Sequence, residues 1–141
     1  MICINTLELK ICDIQGRLFQ LSCKEGIDSA KFVEAFMNSD VCEYMDATFN
    51  HMQCAGEEYL LEALIEEVGN DVLVANETFD EEVMYWIGYI YRYWHFYTGE
   101  SSKKIVKQAN INTMRMNYTI FHTFDPALAV DELKELYMQK R

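Results

Sequence analysis

The sequence predicts an all-α single domain of about six or seven helices arranged around a central aromatic helix. Three observations carry this expectation. Apolar residues recur at three- and four-residue spacing along most of the chain, and residues suited to helix caps stand before the periodic runs. Glycine and proline are scarce, at six and one in 141 residues, whereas many-stranded sandwiches and barrels need denser turn punctuation. Half the residues are apolar and a quarter charged, the balance of a folded globular chain. No repeat or linker divides it, so residues 1–141 are expected to share one core.

Ile4, Leu7, Ile11, Ile14, Leu18 and Leu21 mark one face of a first helix that stops near Gly26. A β-hairpin over residues 5–23 is the alternative, because Leu7, Leu9 and Ile11 also alternate with polar residues and Asp13-Ile14-Gln15-Gly16 has turn chemistry. Asp28 is placed to cap a helix from Ser29 to about Met37, with Ile27 and Phe32 at hydrophobic-staple spacing. Asp40 and Glu43 resemble a capping box that opens a short helix ending before Asn50. Leu60, Leu61, Leu64, Ile65 and Val68 form the next stripe, stopped by Gly69. Val72-Leu73-Val74 has no evident strand partner and reads as a loop.

Asp80 caps a helix over Val83 to Tyr97 that meets Gly99, with Phe79 and Met84 as a second staple. Eight of its residues are aromatic: Tyr85, Trp86, Tyr89, Tyr91, Tyr93, Trp94, Phe96 and Tyr97. A helix apolar all round is buried among others, so this one is expected at the centre of the core. Gly88 costs about 1 kcal/mol relative to alanine in a helix interior, which marks it as a notch for a close neighbour. Ser101 or Ser102, Asn112, and Asp125 followed by Pro126 mark further helix starts.

The formal net charge of −11 is unevenly spread. No Lys or Arg occurs between Lys31 and Arg92, while fourteen Asp and Glu residues do. Such a block sets up a negative field that repels phosphates and anionic membranes and attracts basic proteins. The candidate partner-binding residues are Asp40, Glu43, Asp46, Glu57, Glu58 and Glu62; the plain alternative is that the acidity maintains solubility. Lys103, Lys104, Lys107 and Arg115 form the one basic cluster, read as a solvated face, with weak anion contact or self-association as its functional alternatives.

No catalytic residue is assigned. Five cysteines, Cys3, Cys12, Cys23, Cys42 and Cys54, form an odd set without a CxxC pair, which suits reduced thiols packed as small hydrophobes in a cytosol. The opening Met1-Ile2-Cys3-Ile4 lacks the flank of a signal peptide, and no apolar run is long enough for a membrane span, so the expected location is the cytoplasm. His51 and Cys54 stand three apart with no second ligand pair, and neither metal nor cofactor is expected. Cys42 or Cys54 with His51 or His95 would make a thiolate–imidazole pair, but no nucleophile motif surrounds them. GxSxG, a glycine-rich phosphate loop and HExxH are all absent. Glu62 and Glu66 share a helix face without the Glu-x-x-His partners of a di-iron bundle. Single-strand nucleic-acid binders pair aromatic platforms with a positive groove, and the aromatic segment holds Arg92 alone. The second functional reading is a small enzyme or small-ligand-binding domain with a pocket lined by Tyr85, Trp86, Tyr89, Tyr93 and His95.

The segments 53–62 (QCAGEEYLLE), 85–102 (YWIGYIYRYWHFYTGESS) and 121–126 (FHTFDP) resemble a family of small uncharacterised bacterial proteins associated with toxin–antitoxin-type modules. The resemblance covers most of the chain and implies an antitoxin-like role, without supplying any site residue. The resulting expectation is a non-enzymatic acidic protein that binds and neutralises or regulates a basic protein partner, such as a toxin, with no direct role for nucleic acid or membrane.

Overall fold

The computed structural model describes residues 4–47, 55–74 and 76–140. These form eight α-helices and no strand. They are α1 (Thr6–Lys24), α2 (Ser29–Met37), α3 (Asp40–Asp46), α4 (Glu57–Val68), α5 (Glu81–Thr98), α6 (Ser102–Gln108), α7 (Ile111–Phe121) and α8 (Pro126–Gln139), with a 3-10 turn at Asn70–Leu73. The described residues thus hold one helix more than the upper expectation, and the 3-10 turn occupies the segment expected to be a loop.

Residues 5–23 are helical, which overturns the hairpin alternative. A capping box starts α1: the Glu8 N–H donates to Asn5 Oδ1 at 2.8 Å, and the Asn5 N–H donates to Glu8 Oε1 at 3.1 Å. The buried face of α1 is rotated from the apolar stripe. Leu7 is 58% exposed, whereas Cys12, Gln15, Gly16, Phe19 and Ser22 are buried beside Ile11 and Leu18.

That face packs along α5 in the most extensive helix pair of the fold. The residues that suggested a turn mark the crossing. A Cβ on Gly16 would lie 2.8 Å from the Tyr85 ring, and one on Gly88 would lie 2.7 Å from both the Gln15 carbonyl oxygen and the Phe19 ring. Each helix therefore presents a glycine where the other comes closest, and the Gln15 amide donates to the Gly88 carbonyl at 2.9 Å.

Two caps differ from expectation. Ser39, not Asp40, caps α3, its hydroxyl accepting from the Cys42 N–H at 3.0 Å. Glu67 of α4 satisfies the next two donors, accepting from the N–H groups of Asp40 and Val41 at 2.8 and 3.1 Å. Asn110 rather than Asn112 caps α7, accepting from the Thr113 N–H at 3.0 Å. Asp28 caps α2 as expected and also accepts from the N–H groups of Asn76 and Glu77, pinning the segment that leads into α5.

Phe19, Phe32, Phe36, Tyr91 and Trp94 lie at the centre of the core, all fully buried. Phe19 meets Phe32 and Phe36 edge-on at 5.1 and 5.5 Å between centroids. Of the eight aromatic residues on α5, only Tyr91 and Trp94 are fully buried. The other six are half-buried, so the aromatic helix is central without being enclosed. Tyr85, Tyr89, Tyr93 and Tyr97 form a ladder along its side, with successive centroids 6.1, 6.5 and 6.0 Å apart. Among the described residues no helix is long and apolar enough to cross a membrane.

Candidate functional site

Asp46 and Arg92 form a buried ion pair. Arg92 is fully buried and donates from Nη1 to Asp46 Oδ1 at 2.6 Å, from Nε to Gln15 Oε1 at 2.7 Å and from Nη2 to Cys42 Sγ at 3.3 Å. Asp46 also accepts from the Ser102 hydroxyl at 2.6 Å and the Ser102 N–H at 2.8 Å. Burial pushes the Asp46 carboxyl up, but Arg92 and the two Ser102 bonds outweigh this and hold it below the ordinary carboxylate range. Asp46 therefore points inward and ties α3, α5 and α6 together, with Arg92 extending the network to α1 through Gln15, unlike the other acidic residues with which it was grouped.

The same network separates the candidate thiol and imidazole. Burial pushes the Cys42 thiol up to about 11, whereas a nucleophilic thiol needs a depressed value. His95 directs Nδ1 to the Glu100 carbonyl at 2.7 Å, so Cys42 and His95 do not form a pair. Burial likewise raises Cys12 to about 12. The His51 and Cys54 pair lies outside the described residues, among which no group of three or more His, Cys, Asp and Glu is placed to hold a metal ion.

Asp40 and Glu43 are exposed on α3, with Glu43 4.0 Å from Lys103. On α4, Glu58, Glu62 and Glu66 are exposed and Glu57 is half-buried. A groove of about 380 Å³ runs between α1 and α4, where Leu21, Ile27, Leu61 and Ile65 lie beside Glu25, Glu58 and Glu62. These three glutamates make no ion pair among the described residues. Arg17 and Lys24 of α1 border Glu57 and Glu58 in a neighbouring recess.

Cations distant in sequence also reach the acidic block: Arg115 lies 3.2 Å from Glu77 and stacks over Phe79 at 3.9 Å. The basic cluster consequently divides, with Lys103, Lys104 and Lys107 exposed on α6 while Arg115 serves α7.

A cleft of about 530 Å³ opens beside the N-terminal half of α5. Tyr85, Trp86 and Tyr89 line it, with Ile90 as a buried wall residue. Tyr93 lies further along the ladder and His95 faces the Glu100 turn, so neither lines it. The rest comes from elsewhere in the chain: Gln20 of α1, Glu82 at the start of α5, Tyr118 of α7, and His122, Phe124 and Pro126 around the α7–α8 turn. Trp86 and Tyr118 meet at 80° with centroids 5.7 Å apart, and His122 stacks on Tyr118 at 4.4 Å. Sequence reasoning missed this wall; the only signal was the aromatic density of Tyr118 to Phe124, which core packing explains equally well. Compared with known proteins, the chain matches no family model, no curated protein and no solved structure.

Proposed function

We propose that the protein is a non-enzymatic interaction protein that binds a basic protein segment, in an antitoxin-like manner, through the groove between α1 and α4. The observation that carries this reading is the groove's composition, with apolar side chains along its length and, beside them, Glu25, Glu58 and Glu62, which make no ion pair among the described residues. An amphipathic segment bearing Lys or Arg beside its apolar face satisfies both parts at once. The free, buried Cys12 and Cys42 fit a reducing cytoplasm as the place of action.

Copurification from the native host followed by kinetic binding measurements tests the proposal. Association is expected to slow steeply as salt rises, because exposed charges are screened beyond about 8 Å at physiological ionic strength. The triple variant Glu57→Lys, Glu58→Lys, Glu62→Lys should slow association while the fold persists. Kinetics unchanged by salt and by this variant return the acidity to a role in solubility alone.

A further inference from the structure

We propose that the aromatic cleft beside α5 is a binding site for a methylated ammonium group, with the Trp86, Tyr118, Tyr85 and Tyr89 rings around the cation and Glu82 as its counter-charge. The cleft is separate from the groove between α1 and α4, and the two readings stand or fall independently.

The rings carry the first part of the argument. Trp86 and Tyr118 stand nearly perpendicular at 5.7 Å, forming a corner. Tyr85 and Tyr89 belong to the same cleft, with their centroids 6.1 Å apart and planes tilted by 35°. All four are half-buried. Tyr118 has one face against the His122 ring at 4.4 Å; ring faces left open to the cleft attract a cation through their negative quadrupoles, and a methylated ammonium gives up little hydration on entering.

Charge carries the second part. Among the described residues Glu82 is the one carboxylate lining the cleft, and no Lys or Arg lines it. Arg17 of α1 is held by Asp13 at 3.0 Å, and Asp13 also accepts from the Tyr85 hydroxyl. Burial raises the Tyr118 phenol, and the negative charges of Glu82 and Asp80 push it further in the same direction. A bare ammonium or a guanidinium needs several hydrogen-bond acceptors. Among the described lining residues Glu82 is the only carboxylate and Gln20 the only side-chain amide to supply them, whereas a methylated head needs only the rings and one nearby negative charge.

Choline and its uncharged isostere 3,3-dimethylbutanol are the probes, titrated into the intact protein and followed by Trp fluorescence and NMR shifts of the cleft residues. A peptide carrying trimethyllysine forms a second arm, and guanidinium a third. Choline or the peptide is expected to bind at least about tenfold more tightly than the isostere, in keeping with a desolvated cation–π contact; the tighter of the two identifies the source of the head group. Glu82→Gln should weaken binding about fivefold, and Trp86→Leu should abolish it while the circular dichroism spectrum is retained. Tyr118→Leu provides a second test should Trp86→Leu unfold. Equal binding of choline and isostere, guanidinium binding as tightly as choline, or absence of binding by both methylated probes at millimolar concentration overturns the assignment.

Discussion

Asp46 and Glu58 are both carboxylates of the same acidic stretch, yet one is turned inward onto a buried arginine, with 14% of its side chain exposed, and the other is a surface residue. Asp46 ends α3 where Arg92 and Ser102 approach, and it accepts hydrogen bonds from both. Glu58 lies in the first turn of α4 facing solvent. Removing one member of a buried ion pair leaves the other charged and unpaired, at a cost of about 3 to 5 kcal/mol. Asp46→Ala is therefore expected to lower unfolding stability by about that amount, and urea denaturation with an unchanged slope would measure it. A loss below about 1 kcal/mol would mean that Arg92 reaches water when its partner is removed. The sequence did carry a hint. A single arginine within an aromatic helix is costly to bury without an anion, and the neighbouring stretch supplied one.

At the scale of elements, the α1–α5 crossing shows what hydropathy periodicity captures and what it omits. Periodicity located α1, but the buried seam includes Gln15, Gly16 and Ser22, residues that no apolar pattern selects. Gly88 was legible as a notch because glycine in a helix interior needs a compensating contact, while its counterpart Gly16 drew notice only as turn chemistry in the alternative hairpin. Gly88→Ala gains about 1 kcal/mol of helix propensity. Its Cβ, however, would press on the Gln15 backbone and the Phe19 ring, and overpacking of this kind costs about 1 to 3 kcal/mol. A net loss in melting temperature is expected, larger for Gly88→Leu, and combining Gly88→Ala with Gly16→Ala should give a non-additive change because both act on one contact. A melting temperature raised by Gly88→Ala would show that the helices separate freely. Capping followed the same division: Asp28 and Asp80 were legible locally, whereas the Glu67 carboxylate reaches the start of α3 from another helix.

For the whole molecule, acidity and stability meet in three carboxylates that tie helices or segments together. Glu100 accepts from Lys134, Trp94 and Gln108. Burial pushes its carboxyl up, but those donors outweigh it and bring it to about 2 from an ordinary 4.5. Asp28 and Asp46 are likewise held below 3.8 against the effect of burial, Asp28 by three backbone N–H groups and Asp46 by Arg92 and Ser102. The folded values are depressed, so the unfolded chain binds more protons as acid is added, and the stabilisation is present above the unfolded values and lost as pH falls through the folded ones. The melting temperature should hold steady down to about pH 4.5 and then fall continuously toward pH 2, the value to which Glu100 is brought. A melting temperature that rises through this range would show that relief of the −11 net charge outweighs the lost bonds. By itself the sequence determined the all-α class, the extents of α2 and α5 to within two residues, the end of α4 at Gly69, and the acidic character, because capping and helical periodicity act between residues a few positions apart. Only the tertiary structure decided which carboxylates face inward, which cations reach the acidic block, and that an aromatic cleft exists. Those outcomes depend on contacts such as Trp86 with Tyr118 and Asp46 with Arg92, where the partners are far apart in the chain and meet only when the helices pack.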